Sequence, residues 1–543
     1  MVKLFKKYLH GKSTTIISAA VIIATASLAS RFLGIIRDRI LAGEFGAGNE
    51  LDIYYAAFRI PDLVYNLTVA GALSAGFIPI FAELINGRQN PRHAWQIANG
   101  VLNFIFIGLA ILCVGLAIGA PWLVPLITPG FEGEKLALTI ELTQIMLLSP
   151  FFLGLSSLFG AVLQTYKRFM LYSLAPILYN LGIIFGALFL VNIWGLAGLA
   201  YGVVIGAVLH LLIQIPGACK LGWRYEFIWP WQDVHIRKII TLTIPRILSL
   251  GVSQINMIFI TAIASLLVAG SIAVYNLANN LQYFPVGIIG FSFAIAALPT
   301  LSEFVAEKAW DKYKKAFSNT ARDILFLSVP ASLLLLLLRA QIVRVILGSG
   351  RFTWVDTILT ADTLAFFSLS LFAQCLIPLL MRMFFAIKNT VIPLVVAVSS
   401  ALLNIILAFL FAKSIGVAGL ALAFSVAMIF NLILLWVALR IKVGYLYELP
   451  ILRSLYKICV AAIAMAVVIQ LTKYLIAPFL DFQTFIGIFL HGAISGTLGI
   501  IVYCLITFIL RSPEMLNMIA SVRRKFFKKY YEPQEGVDMP GHI

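Results

Sequence analysis

The chain has 543 residues, 61% of them hydrophobic and 12% charged, with a mean hydropathy of +1.00. A soluble globule carries about 25% charged residues, so a soluble fold is excluded. The formal net charge is +17. The basic residues, however, fall in alternate short loops between apolar runs, which describes membrane topology and attraction to anionic lipid and argues against a nucleic-acid partner.

In chain order, a basic start at residues 1–13 carries Lys3, Lys6, Lys7 and Lys12. The apolar stretch behind it is far longer than the core of a cleavable leader. Apolar runs of about 20 or more residues, each able to cross a bilayer as a helix, recur about fourteen times. They lie at 14–42, 51–84, 95–127, 137–165, 170–193, 196–217 and 238–269. The series continues at 272–303, 317–347, 357–386, 389–412, 415–439, 452–475 and 484–510. Basic residues mark every second connection: Arg88 and Arg92, Lys167 and Arg168, Lys220 and Arg224, Lys308 to Lys315, Lys388, Arg440 and Lys442, then Arg523 to Lys529. The connections between them carry Glu44, Glu132, Asp356 and Asp481. Positive charge stays inside, so both termini are expected in the cytoplasm, which an even number of spans satisfies. The five cysteines form no CxxC pair and are read as small hydrophobes.

Two parts of the chain repeat one another. Gly195-Leu196-Ala197-Gly198 recurs as Gly416-Val417-Ala418-Gly419, an offset that also relates Lys167 to Lys388 and Phe131 to Phe352. Pro79 and Glu83 match Pro299 and Glu303 at nearly the same offset. The expected fold is therefore an all-α polytopic membrane protein of about 14 transmembrane helices. It has two six-helix bundles in parallel repeat around a central cavity, plus two extra C-terminal helices. Residues 14–221 form the N-lobe, 222–237 a cytoplasmic linker, 238–441 the C-lobe, 452–510 the two extra spans and 511–543 a cytoplasmic tail. Such an organisation argues for a transporter working by alternating access.

The cargo is read from charge at bilayer depth, which costs about 2.5–3.5 kcal/mol per residue even on a lenient scale. Arg31, Arg37 and Asp38 occupy the first span; Asp52, Arg59 and Asp62 occupy the second. On an ideal helix Arg31 and Asp38 share a face, as do Asp52 and Arg59, while Arg37 points about 120° from Arg31. Pro61 is expected to kink the second span. Arginine in excess of acid suits an anion, because the guanidinium fork takes two phosphate oxygens. The rival reading, arginine and aspartate closing a gate between themselves, stays open at this point.

Ser30-Arg31-Phe32-Leu33-Gly34-Ile35-Ile36-Arg37-Asp38, Phe45-Gly46-Ala47-Gly48 and Ala57-Phe58-Arg59-Ile60-Pro61-Asp62 closely resemble the opening of the MurJ/MviN lipid II flippase family, in the MOP exporter superfamily. Phe284-Pro285-Val286-Gly287, Leu298-Pro299-Thr300-Leu301 and Gly350-Arg351-Phe352-Thr353 follow the same family in order. The resemblance implies transport of lipid II, the undecaprenyl-pyrophosphate disaccharide-pentapeptide, from the inner to the outer leaflet of the bacterial cytoplasmic membrane. It implies that Arg31 and Arg37 are cavity arginines, that Asp52 is the second span's acidic residue, and that 452–510 helps to form a lipid-tail groove. Where many members carry an eighth-span arginine, this chain has Asn280, and Arg246 is expected to replace that charge from the seventh span. Asn404 resembles a sodium ligand of some members, but Ala408 stands where a carboxylate would help.

The expected partners are therefore lipid II or a related polyprenyl-pyrophosphate lipid, the surrounding membrane lipids, and an ion gradient or the membrane potential; no cofactor is expected. The alternative cargo is another polyprenyl-linked saccharide. A membrane enzyme acting on phosphosugars would need carboxylates near a divalent metal. No compact acidic cluster is present, and the six histidines are scattered without ligand spacing. His210, inside span six, is read as packed or pore-facing.

Overall fold

The computed structural model describes residues 16–67, 76–86, 91–229 and 233–527; among these, the side chains of 16–24, 86, 91, 240, 242–250 and 521–527 fall outside the description. The described residues build helices and no strand. The chain begins with α1 (Ile16–Phe45), α2 (Asn49–Ala57), α3 (Arg59–Tyr65), α4 (Ile78–Asn86) and α5 (Pro91–Ile127). Next come α6 (Gly133–Met146), α7 (Leu148–Thr165), α8 (Phe169–Phe185), α9 (Val191–Trp194), α10 (Ala197–Leu212) and α11 (Ile215–Lys220). The middle holds α12 (Val234–Ser265), α13 (Ser271–Pro285), α14 (Phe291–Ala306), α15 (Trp310–Leu337) and α16 (Arg339–Leu347). The last third holds α17 (Trp354–Ser368), α18 (Leu371–Ala386), α19 (Val391–Ile415) and α20 (Val417–Val443). It closes with α21 (Glu448–Ile476), α22 (Phe485–Ile509) and α23 (Pro513–Phe527).

Ten stretches among the described residues are long and apolar enough to cross a membrane, or eleven when α17 and α18 are taken as one broken span. They coincide with eleven of the fourteen expected runs. The other three, 14–42, 51–84 and 238–269, fall on α1, on α2 to α4 and on α12, each partly outside the described residues. The outward surface explains why these helices belong in lipid. On α5, Ile111, Ile118, Trp122 and Leu126 are each about two-thirds exposed or more, while Asn99 and Asn103 are buried. Apolar outside and polar inside is stable only where the solvent is hydrocarbon.

The sequence repeat is also a repeat of backbone devices. Lys167 (φ 59°) and Lys388 (φ 58°) both adopt the left-handed conformation. Each closes a helix in the same way: Arg168 N–H donates to the Leu163 carbonyl at 2.8 Å, and Asn389 N–H to the Phe384 carbonyl at 2.9 Å. Gly195 and Gly416 share a positive φ of 57° and 67°. Three residues on, a Cβ at Gly198 would strike the carbonyl of Leu190, and one at Gly419 that of Phe411, again 221 residues apart.

The chain forms two compact units, one of Met1–Phe284, Ile342–Ser370 and Val391–Asn431, the other of Pro285–Gln341, Leu371–Thr390 and Leu432–Ile543. In the first, α8 and α10 touch backbone to backbone, since a Cβ at Gly182 would lie 2.3 Å from Gly206 Cα. Its core gathers Phe77, Phe81, Ile97 and Phe159, with Trp95 and Trp223 against them. The linker lies along α5: Trp223 Nε1–H donates to Asn99 Oδ1 (2.9 Å) and Asn103 Nδ2–H to the Ile228 carbonyl (2.9 Å). In the second unit the Tyr313 hydroxyl donates to the Met383 carbonyl (2.8 Å) and the Tyr503 hydroxyl to the Phe326 carbonyl (2.7 Å). These two hydroxyls bond to carbonyls of neighbouring helices, which satisfies groups that an apolar surround would otherwise leave unpaired.

Candidate functional site

The charged residues of α1 meet polar residues of α8 and α13. Arg37 donates from Nε (3.0 Å) and Nη2 (2.8 Å) to Asp38 Oδ1, and from Nη1 to Asn180 Oδ1 (3.0 Å). Asp38, 6% exposed, takes a further bond on Oδ2 from the Asn280 amide at 3.0 Å. One carboxylate thus holds a guanidinium on one oxygen and an amide on the other. Successive helical residues lie about 100° apart, but the long arginine side chain folds back far enough to bridge that angle. The sequence flagged Arg37, Asp38 and Asn280 separately, and the fold joins them.

The second span turns its expected face to α13, although its helix is interrupted. Asp52 and Arg59 are seven residues apart, but the helix is broken at Phe58 between them. Pro61 has no N–H to offer the carbonyl four residues back, at Ala57, and the ladder gives way there. Asp52 (2% exposed) turns to the start of α13, accepting from Gly270 N (2.7 Å) and Ala273 N (2.9 Å). It also pairs with Lys135 Nζ at 3.0 Å. A carboxylate at a helix N-terminus satisfies amides that the helix itself leaves open, so Asp52 anchors α13. Arg59 (7% exposed) instead donates from Nη2 to Asn276 Oδ1 at 2.6 Å, on α13, and its Nε is buried without a hydrogen-bond partner. Arg59 is thus held by one amide, with one buried donor unused.

Arg31 lies exposed on α1, six residues before Arg37, and no hydrogen bond or ion pair joins it to the described residues. Arg246 is on the helical backbone of α12, and its side chain is outside the described residues. Asn404 donates to Asn256 Oδ1 (3.0 Å) while its own Oδ1 is buried without a partner. That single oxygen fits a cation, but Ala408, one turn on and fully buried, adds none; one amide oxygen falls well short of the several oxygens a hard cation takes.

Sequence reasoning missed Asn180 and Asn276, the two amides that hold the arginines. The available signal was an asparagine inside an apolar run, which must find a partner.

Beside this network lies a cavity of about 190 Å³ lined by Asp62, Tyr65, Ser149, Tyr179 and His210, among others. His210 faces Ser156 Oγ through Nδ1 at 2.7 Å, so it is both packed and at the cavity wall.

Similarity to known proteins decides the family. The family described as lipid II flippase MurJ matches residues 41–490. The chain belongs to the MurJ family of lipid II flippases. A relative from Vibrio cholerae serotype O1, named as a probable lipid II flippase MurJ, is 31% identical over 398 residues, covering 70% of this chain and 74% of the relative. One from Haemophilus influenzae, of the same name, is 32% identical over 381 residues, covering 67% and 74%. A solved lipid II flippase MurJ in an inward closed conformation aligns with TM-score 0.74 at 26% identity, over 90% of this chain and 98% of that one. An inward-facing multidrug MATE transporter of the MOP superfamily aligns with TM-score 0.65 at 16% identity, over 79% and 99%, and so shares the fold. As a member of this family the chain is a multi-pass membrane protein.

Proposed function

We propose that this chain flips lipid II, or a closely related polyprenyl-pyrophosphate saccharide, from the inner to the outer leaflet by alternating access. The observation that carries the reading is the pair of arginines on α1 and α3. Arg37 is balanced by Asp38 alone, and Arg59 by no carboxylate within ion-pair distance among the described residues. Arg31 stands exposed on the same helix six residues before Arg37, so the first two spans set three guanidiniums against Asp38 and Asp62, Asp52 being already matched by Lys135. A pyrophosphate supplies the missing negative charge and the bidentate oxygens these side chains are built to take.

In this reading residues 14–221 and 238–441 are the two moving lobes, 222–237 joins them on the cytoplasmic side, and 452–510 guides the lipid tail. Both termini are cytoplasmic. Support comes from the alternating loop charges and from the matched helix ends at Lys167 and Lys388. Arg246 supplies the charge that Asn280 lacks, and Asn404 contributes at most one oxygen to a coupling ion.

The test is complementation of a bacterium depleted of its own lipid II flippase, with the flipped lipid quantified at the outer leaflet. Restored growth with restored lipid II export supports the assignment. Expression in the membrane without export of lipid II refutes it. Asn280, neutral where the family pattern has a cation, favours as a second reading a less charged saccharide lipid, which would accumulate in place of lipid II.

A further inference from the structure

The linker ends in a cluster that no part of the transport reading uses. His93 lies on the first turn of α5, and Asp233 and His235 at the start of α12, some 140 residues later. His93 Nε2 lies 3.6 Å from Asp233 Oδ2, and His235 Nδ1 lies 3.0 Å from Asp233 Oδ1. One ligand atom from each residue falls within 4.8 Å of the others. The imidazoles meet edge to face, with centroids 5.6 Å apart. Asp233 is fixed in place because it caps α12, accepting from His235 N–H at 2.7 Å.

We propose that His93, Asp233 and His235 bind a divalent transition-metal ion of the zinc class, clasping the end of the linker to α5. An ion with bonds of about 2.0–2.2 Å to tetrahedral ligands holds neighbouring donor atoms about 3.3–3.5 Å apart. The two imidazole–carboxylate distances bracket that spacing, so small side-chain rotations complete the set. Two imidazoles with one carboxylate select zinc, cobalt or nickel over magnesium and calcium, which take oxygen alone. The side chains are 35%, 19% and 33% exposed, which leaves a route in for the ion and a fourth position for water. The clasp would extend the strap that Trp223 and Ile228 already make along α5, and it is independent of which lipid is carried.

The competing description is a hydrogen-bonded imidazole–carboxylate cluster that binds nothing. The two are separated with the full-length protein, purified through a tag that contains no histidine. Cobalt(II) is titrated while its visible d–d absorption is followed, and zinc is then added to displace it. The expected result is one equivalent bound with a four- or five-coordinate spectrum. Affinity should fall about tenfold or more in His93→Gln and in His235→Gln. Zinc should raise the melting temperature of the wild type and leave that of His93→Gln unchanged. The His93 side chain is about one-third exposed and caps no helix, so its variant folds even if His235→Gln does not. If wild type and His93→Gln show the same cobalt spectrum and the same zinc response, the site does not exist.

Discussion

Replacing Asp38 by asparagine keeps the shape of the α1–α13 contact and removes its charge. Arg37 then keeps only Asn180 as a close partner, with two of its three bonds redirected to a neutral amide. Opposite unit charges about 4 Å apart interact by roughly 4 kcal/mol at an effective dielectric of 20. Removing one member of a fully buried pair costs about 3–5 kcal/mol. The Arg37 side chain is 23% exposed, so the lower limit, about 3 kcal/mol, applies to the empty protein. An anionic cargo reverses the balance, because it supplies the negative charge that the substituted amide lacks. Thermal unfolding in detergent, with and without lipid II, measures both effects. Asp38→Asn should unfold at a clearly lower temperature than wild type when empty, and should gain more than wild type when lipid II is added. Equal melting temperatures in the absence of lipid, together with an equal lipid-induced gain, would refute the claim that Asp38 is a stand-in for the cargo's charge.

Arg37→Ala should abolish lipid export in the complementation assay while the protein still reaches the membrane, and Arg37→Lys should rescue poorly, since an ammonium cannot replace the three-bond fork. Asn280→Arg places a second guanidinium on Asp38 and should release Arg37 toward the cargo, tightening lipid II binding in a flotation or thermal-shift assay. Lys135→Ala leaves the buried Asp52 carboxylate with backbone amides alone, and should lower stability by about 1–3 kcal/mol, read as a lower melting temperature. Gly202→Val puts its Cβ 2.5 Å from Gly186 Cα and should cost at least about 1–3 kcal/mol, read as loss of the monodisperse peak on size-exclusion chromatography.

Spans that expose apolar side chains and pair off their polar ones were legible because a 20-residue apolar run has few other fates. Eleven of the fourteen runs coincide with membrane-length helices, and the offset of 221 residues reappears as matched helix ends at Lys167 and Lys388. The site was legible in type more than in wiring. Arg37, Asp38 and Asn280 could each be picked out as costly in lipid, but their junction depends on α1 and α13 meeting, which no local pattern encodes. Asp52 and Arg59 both reach α13, as their seven-residue spacing expects, although the helix is interrupted at Phe58 between them. His93 and His235 looked unrelated for the same reason as Arg37 and Asn280: the contact is made by folding across more than a hundred residues.

The wiring has a consequence for how cargo and conformation are coupled. Asp38 and Arg37 neutralise one another, and the same carboxylate holds Asn280 on α13. A pyrophosphate that recruits Arg37 competes with Asp38 for it. The carboxylate is then left with one amide bond, too little to offset its burial at 6% exposure. On the proposed reading, binding would therefore weaken the polar contact that ties α1 to α13, and Arg59, whose amide partner Asn276 sits on the same helix, would be drawn the same way. An arginine paired to a weakly held carboxylate serves this purpose better than a free one. A free guanidinium would bind the anion and change nothing, whereas an exchanged one makes occupancy and opening parts of a single event.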